Sequence, residues 1–106
     1  MIVRIWRTRF DPSEREKLVA YANDVSLPVL SSRDGVKAVL FYAKDDEWVT
    51  MTVWDSQAAI DRLGDDPEYQ RIVAGILDLG VLREDQSVEI FEYEGGVSLL
   101  APPHNS

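Results

Sequence analysis

The residues of this chain that could do chemistry are set out by alternation. In Trp48-Val49-Thr50-Met51-Thr52-Val53-Trp54 every second residue is an indole or a hydroxyl, and the residues between them, Val49, Met51 and Val53, are purely apolar. Alternate residues of a strand point to opposite faces, so such a strand presents aromatic walls and hydroxyl donors on one side and an apolar row on the other. The stretch IVRIWRTR, residues 2–9, repeats the device: Arg4 and Trp6 fall with Ile2 and Thr8, opposite Val3, Ile5 and Arg7. A guanidinium turned toward a partly buried site needs an anionic or carbonyl partner. Arg4, Thr50 and Trp54 are therefore the candidates for chemistry, and Trp6, Tyr42, Asn23 and Tyr69 the candidates for substrate contact. Each also has a plainer role. Trp54 and Trp6 can fill space against a helix, Arg4 can pair with Glu89 or Glu92, Tyr42 can sit in a core or an interface, Asn23 can face solvent and Tyr69 can pack.

Composition closes several routes. The chain has 106 residues and no cysteine, which removes disulfides, thiolate nucleophiles and cysteine-ligated metals and suits a reducing cytoplasm. Its one histidine, His104, is near the end, so a site needing two imidazoles in one chain is excluded, no metal site is expected, and Ser-His-Asp chemistry would have to recruit a tail residue. Nineteen acidic against eleven basic residues give a net charge of −8, which disfavours nucleic acid as a partner. No apolar run approaches the roughly 20 residues of a membrane span, and no signal-peptide pattern precedes the first strand, so a soluble, cytoplasmic protein with no membrane partner is expected.

The elements that must position these residues are set by caps and periodicity. Asp11-Pro12-Ser13-Glu14 starts a helix carrying Leu18, Ala22, Val25 and Val29 at helical spacing; Pro28 interrupts its ladder and residues 31–35 turn the chain out. Val36 to Ala43 is apolar on both faces and belongs inside the structure, and Lys44-Asp45-Asp46-Glu47 is a charged hairpin turn leading into the Trp/Thr strand. Asp55-Ser56 caps a short helix through Leu63. Asp66-Pro67-Glu68 starts another with Tyr69, Ile72, Val73, Ile76 and Leu77 on one stripe, ending at Gly80. Val88 to Tyr93 is the last strand, and Gly95-Gly96 opens a tail. The expectation is one domain over residues 1–94 and a tail over 95–106, in which VSLLA, residues 97–101, either frays or clips onto a neighbouring surface before Pro102-Pro103.

Strand, helix, strand, strand, helix, strand is the ferredoxin-like split βαβ plan, an α+β fold with helices on one face of a four-stranded antiparallel sheet. Apolar residues on both strand faces leave one sheet face uncovered, a patch too large for a soluble monomer, which predicts a homodimer through Val49, Met51 and Val53. With IVRIWR at the start, TVWDSQAAI, GDDPEYQ and the closing VEIFEY in that order over residues 1 to about 94, the chain resembles the antibiotic biosynthesis monooxygenase superfamily of dimeric α+β barrels.

The resemblance implies face-to-face packing of two sheets and a pocket between each sheet and its own helices. Some members of that superfamily oxygenate phenolic polycycles such as anthrones, or quinols, with neither metal nor flavin; others degrade haem. The tryptophan of a W-[DE]-S segment lines the pocket in the anthrone-type enzymes, and Trp54 matches it. The asparagine four residues earlier is replaced by Thr50 and the tyrosine six residues later by Ile60. The asparagine, tryptophan and histidine of the haem-degrading branch have no counterparts at Trp6 or Arg7, at Leu63, or around Val73. The resemblance thus implies a cofactor-independent monooxygenase acting on a small aromatic phenol, quinol or polyketide-like molecule, with Trp6 and Trp54 on either side of the ligand. Two alternatives stay open: a ligand-binding or structural dimer without turnover, and a non-redox isomerase-type enzyme in which Arg4 holds the enolate of a small carbonyl compound. A missing strong general base weighs toward the former.

Overall fold

The two alternating stretches become neighbouring strands at the centre of one sheet. In the computed structural model, which describes residues 1–83 and 85–100, β1 (Ile2–Arg9) pairs antiparallel with β3 (Glu47–Trp54) on one side and with β4 (Ser87–Glu92) on the other. The remaining strand, β2 (Val36–Lys44), forms a hairpin with β3, giving the order β2-β3-β1-β4. This is the expected four-stranded antiparallel α+β sheet. Asp45, with φ 53°, makes the tight hairpin turn. The Pro102-Pro103 stop and His104 lie outside the described residues.

Register fixes which side chains share a face. Arg4 lies opposite Thr52 and Ile90, and Trp6 opposite Thr50 and Val88, so all six point to the helix side. Val3, Ile5, Leu40, Val49, Met51 and Phe91 occupy the outer side. A bulge at Lys37 lets Val36 and Val39 both face inward although they are three residues apart.

The caps lie where the sequence places them. Asp11 accepts from the Ser13 amide ahead of a 3₁₀ turn (Pro12–Glu14), Ser56 Oγ accepts from the Ala59 amide at the start of α3 (Gln57–Asp61), and Asp66 accepts from the amides of Glu68 and Tyr69 at the start of α4 (Pro67–Asp78). The first helical segment departs from expectation. It runs as α1 (Arg15–Tyr21), a π-helical turn (Ala22–Ser26) and α2 (Leu27–Ser31), and the Leu27 amide bonds to the Ala22 carbonyl, five residues back. The wider turn adds one residue to the repeat, so the buried stripe is Leu18, Ala22, Ser26 and Leu30, while Val25 is exposed. It falls immediately before Pro28, whose ring and missing N–H cannot be fitted into a regular α-turn.

Two apolar clusters lie between sheet and helices. One gathers Phe10, Leu18, Ala22, Trp48 and Val81; the other gathers Trp54, Ala59, Ile60 and Leu63. Trp48 and Trp54, at the two ends of β3, each anchor one cluster. The stretch of β3 between them, with Thr50 and Thr52 facing inward, is where the site lies.

Candidate active site

A cavity of about 320 Å³ separates the two clusters, within the range of small-molecule sites. Its floor is the inner face of the sheet: Arg4 and Trp6 from β1, Thr50 and Thr52 from β3, and Phe41 from β2. Ala22, Ser26 and Leu30 line it from the first helical segment, and Tyr69, Ile72 and Ile76 from α4. The mouth opens between α4 and β4, where Val73, Leu77 and Val88 are 37%, 51% and 51% exposed and Gln70 and Gln86 flank the opening. Among the described residues no helix covers β4, whose six residues are all exposed, and this leaves a way in for a ligand.

Polar groups on the floor are held by the indoles. Trp48 Nε1 donates to Thr50 Oγ1 at 3.1 Å, and Trp54 Nε1 donates to Thr52 Oγ1 at 2.7 Å. Thr52 in turn bonds the backbone carbonyl of Arg4 at 3.5 Å, tying the centre of β3 to β1. Trp48 is itself packed edge-on to Phe10, with ring centroids 6.2 Å apart, and tilted over Phe41 at 5.8 Å. The Arg4 guanidinium reaches the Tyr69 hydroxyl at 3.5 Å, the long limit of a hydrogen bond. Glu89, a candidate partner for Arg4 by sequence, pairs with Arg7 on the outer face instead, because odd and even positions of β1 point apart. Among the described residues no carboxylate lies within ion-pair distance of Arg4, and no Asp, Glu or His lines the cavity.

The roof is fixed by a separate ion-pair cluster. Arg33, beyond α2, donates to Asp66 at 2.7 Å and to Glu68 at 2.6 Å, clamping the start of α4 and hence the turn that carries Tyr69. The Arg33 hydrogen bond, helped by the Tyr69 amide, holds the Asp66 carboxyl below the usual carboxylate range. At the other end of the contact Tyr21 donates to the Ile72 carbonyl at 2.7 Å, and burial, with the charge of Asp78 adding to it, raises its hydroxyl above the usual tyrosine range.

No sequence-family profile matches the chain, and no curated protein matches it. The likeness is in three dimensions. A monooxygenase of Streptomyces coelicolor, ActVA-Orf6, solved in complex with nanaomycin D, is 20% identical, with a TM-score of 0.77 over 92% of this chain and 90% of its own. An antibiotic biosynthesis monooxygenase is 15% identical, with a TM-score of 0.72 over 90% of this chain and 100% of its own. The fold is that of the antibiotic biosynthesis monooxygenases. A protein of unknown function from Nitrosomonas europaea shares it too, at 12% identity and a TM-score of 0.73 over 94% of this chain and 95% of its own, so the fold alone assigns no reaction.

Within this monooxygenase-type fold the candidate residues divide. Arg4, Trp6, Thr50 and Tyr69 come together around the cavity. Trp54 does not line it: the residue is fully buried against Ala59, Ile60 and Leu63, because α3 folds directly over that end of β3. Tyr69 packs against this Trp54 cluster, so Trp54 backs the wall and a sandwich of Trp6 and Trp54 around a ligand is not formed. Tyr42 lies on the outer face, 48% exposed, with its hydroxyl near Met51 Sδ, since it is one residue out of phase with Phe41. Asn23 is exposed and donates to the Val19 carbonyl one turn back, because the buried stripe passes through Ala22 and Ser26. Sequence reasoning placed Trp48 and Thr52 on the pocket-facing row without singling them out, and missed Phe41, Gln70 and Gln86. Trp48 and Thr52 share the parity of Thr50 and were legible on that ground; Gln86 lies in the loop before β4 and carries no periodic signal.

Proposed function

We propose that the cavity binds a planar phenol or quinol as its anion and promotes direct reaction with O₂, as a cofactor-independent monooxygenase. The observation that carries this reading is Arg4: a cation on the floor of an aromatic-walled cavity, without a carboxylate partner among the described residues. An anion-stabilising donor in a site shielded from water is the main contribution such chemistry asks of a protein. The nanaomycin D complex of the Streptomyces coelicolor monooxygenase lends support from the same fold.

The reaction balances without an external reductant. Ring carbon of the substrate anion gives an electron pair to O₂, a C–O bond forms and the peroxide takes a proton. Loss of the remaining C–H proton with cleavage of O–O then yields a carbonyl and water, so a CH₂ group and O₂ become C=O and H₂O. Arg4 lowers the cost of forming the anion and Thr50 O–H holds its oxygen, while Trp6, Phe41 and Trp48 shape the space for the ring. The first proton leaves through the open mouth. Among the described residues no carboxylate or imidazole lines the cavity, which favours a second reading, a binding module without turnover.

The same experiment separates the two: aerobic O₂ uptake by purified protein with a panel of anthrones and quinols. Uptake above the protein-free rate, falling roughly 30- to 1,000-fold in Arg4→Ala as for lost oxyanion donors, supports turnover. Uptake at the protein-free rate across the panel rejects it. We also propose that the outer sheet face, where Val3, Ile5, Leu40, Val49, Met51 and Phe91 form an apolar surface that no helix among the described residues covers, pairs with a second copy.

A further inference from the structure

The direction of the hydrogen bonds on the cavity floor restricts the ligand further, given the small-molecule reading of the cavity proposed above. A guanidinium has donors only. Thr50 Oγ1 already accepts the Trp48 indole proton, and among the described residues its own proton has no acceptor. Thr52 differs: it accepts from Trp54 and spends its proton on the Arg4 carbonyl, so it is satisfied within the protein. The Tyr69 oxygen faces Arg4 Nη2 as acceptor, which leaves its O–H to point elsewhere. Arg4 and Thr50 therefore present hydrogens to one cavity, beside the Tyr69 hydroxyl, and among the described residues its lining holds no carboxylate or imidazole.

A floor made of donors selects a ligand edge made of acceptors, and the guanidinium fork matches two adjacent oxygens far better than one. A phenolate offers one oxygen and must first lose its proton. A carboxylate offers two and is already ionised at neutral pH, so no base is needed to form it. The spacing allows a second contact. Arg4 and Thr50 are diagonal neighbours on the same face of adjacent strands, so the long guanidinium side chain and the threonine hydroxyl can meet two oxygens on neighbouring ring positions of one ligand. We infer that the ligand is a planar aromatic carboxylate bearing an adjacent hydroxyl, with the carboxylate on Arg4 and Tyr69 and the ring oxygen on Thr50.

Isothermal titration of the 106-residue chain at neutral pH tests this with 3-hydroxy-2-naphthoate, its methyl ester and 2-naphthoate. The acid is expected to bind about 10-fold or more tighter than the ester, the value of charge-assisted bonds. Arg4→Gln should abolish that preference, with an unchanged circular dichroism spectrum reporting that the variant is folded; Arg4→Lys, which keeps the charge without the fork, should retain only part of it. Thr50→Val should remove the advantage of hydroxynaphthoate over naphthoate, while the preference of the acid over the ester, which rests on Arg4, persists. Equal affinities for acid and ester, or a preference that survives Arg4→Gln, overturns the carboxylate assignment alone. Binding of none of the three below about 1 mM overturns it together with the small-molecule reading of the cavity. Acid-selective binding without any O₂ uptake leaves it standing and removes only the turnover.

Discussion

Trp48 Nε1 and Thr50 Oγ1 are 3.1 Å apart, donor and acceptor two residues apart on the same face of one strand. That bond decides the polarity of the floor, because a hydroxyl that accepts from an indole has its proton to give to something else. Replacing Trp48 with Phe keeps an aromatic ring against Phe10 and Phe41 but removes the donor. Urea unfolding should show a loss of about 1 to 2 kcal/mol, from one buried hydrogen bond and the smaller ring. The advantage of a ligand hydroxyl at Thr50 should fall as well, because the freed Thr50 rotor no longer has a fixed direction. An unchanged hydroxyl preference in Trp48→Phe would mean that the indole does not orient Thr50.

The close approach of α1 to α4 depends on Gly75. A β-carbon there would collide with the Tyr21 hydroxyl, which is bonded to the Ile72 carbonyl at 2.7 Å. Replacing a helical glycine with alanine ordinarily stabilises by up to about 1 kcal/mol, so the sign is diagnostic. Gly75→Ala is expected to destabilise by about 1 to 3 kcal/mol through overpacking. In the Tyr21→Phe background the same change should cost much less, since the hydroxyl that obstructs it is gone. A double-mutant cycle by urea unfolding with no coupling would exclude this account.

The Arg33 clamp has a pH signature. Asp66 is held below the ordinary carboxylate value, near 3.9, first by Arg33 and then by the Tyr69 amide. A carboxyl depressed in the folded state stabilises the fold fully above its unfolded value, and that stabilisation is lost as pH falls through the folded one. The melting-temperature difference between the native chain and Asp66→Asn should thus be constant from about pH 6 to 7 and shrink as pH falls below about 4. Asparagine keeps the cap acceptor, so what disappears is the charge on the Arg33 contact and not the helix start. A difference that stays constant down to pH 2 would show that the depressed carboxyl contributes nothing.

Much of this arrangement was legible in the sequence because alternation and capping are local. The parity of β1 and β3 alone put Arg4, Trp6 and Thr50 on one face, and the Asp-Pro starts at Asp11 and Asp66 fell where the structure has them. What failed was non-local or depended on one inserted residue. The π-turn shifted the stripe from Val25 and Val29 to Ser26 and Leu30, a change that no α-period shows. Parity also cannot say which end of a strand is roofed: α3 closes over Trp54 and leaves Thr50, four residues away, at the cavity. Tyr42 and Asn23 each sit one position from a residue that does line it, Phe41 and Ala22, so a single-residue phase error accounts for both.

On the outer face, Val3, Ile5, Leu40, Val49 and Met51 lie side by side, while residues 95–100 arch past Met51 and Val53 with Val97, Leu99 and Leu100 84%, 90% and 70% exposed. An apolar sheet face beside an apolar, outward-turned segment is the arrangement expected where a second copy covers both, and such an interface buries roughly 2,000 Å² or more. Sedimentation at micromolar concentration should give twice the 12.0 kDa chain mass for the native protein. Met51→Arg places a charge in the middle of that face and should give monomer or aggregate, whereas Gln57→Arg, at an exposed position of α3, should leave the dimer intact. Replacing Leu99 and Leu100 together with serine should shift the equilibrium toward monomer and lower the melting temperature. A native chain that sediments as a monodisperse monomer rejects the pairing. A dimer indifferent to Met51→Arg would place the interface elsewhere on the molecule.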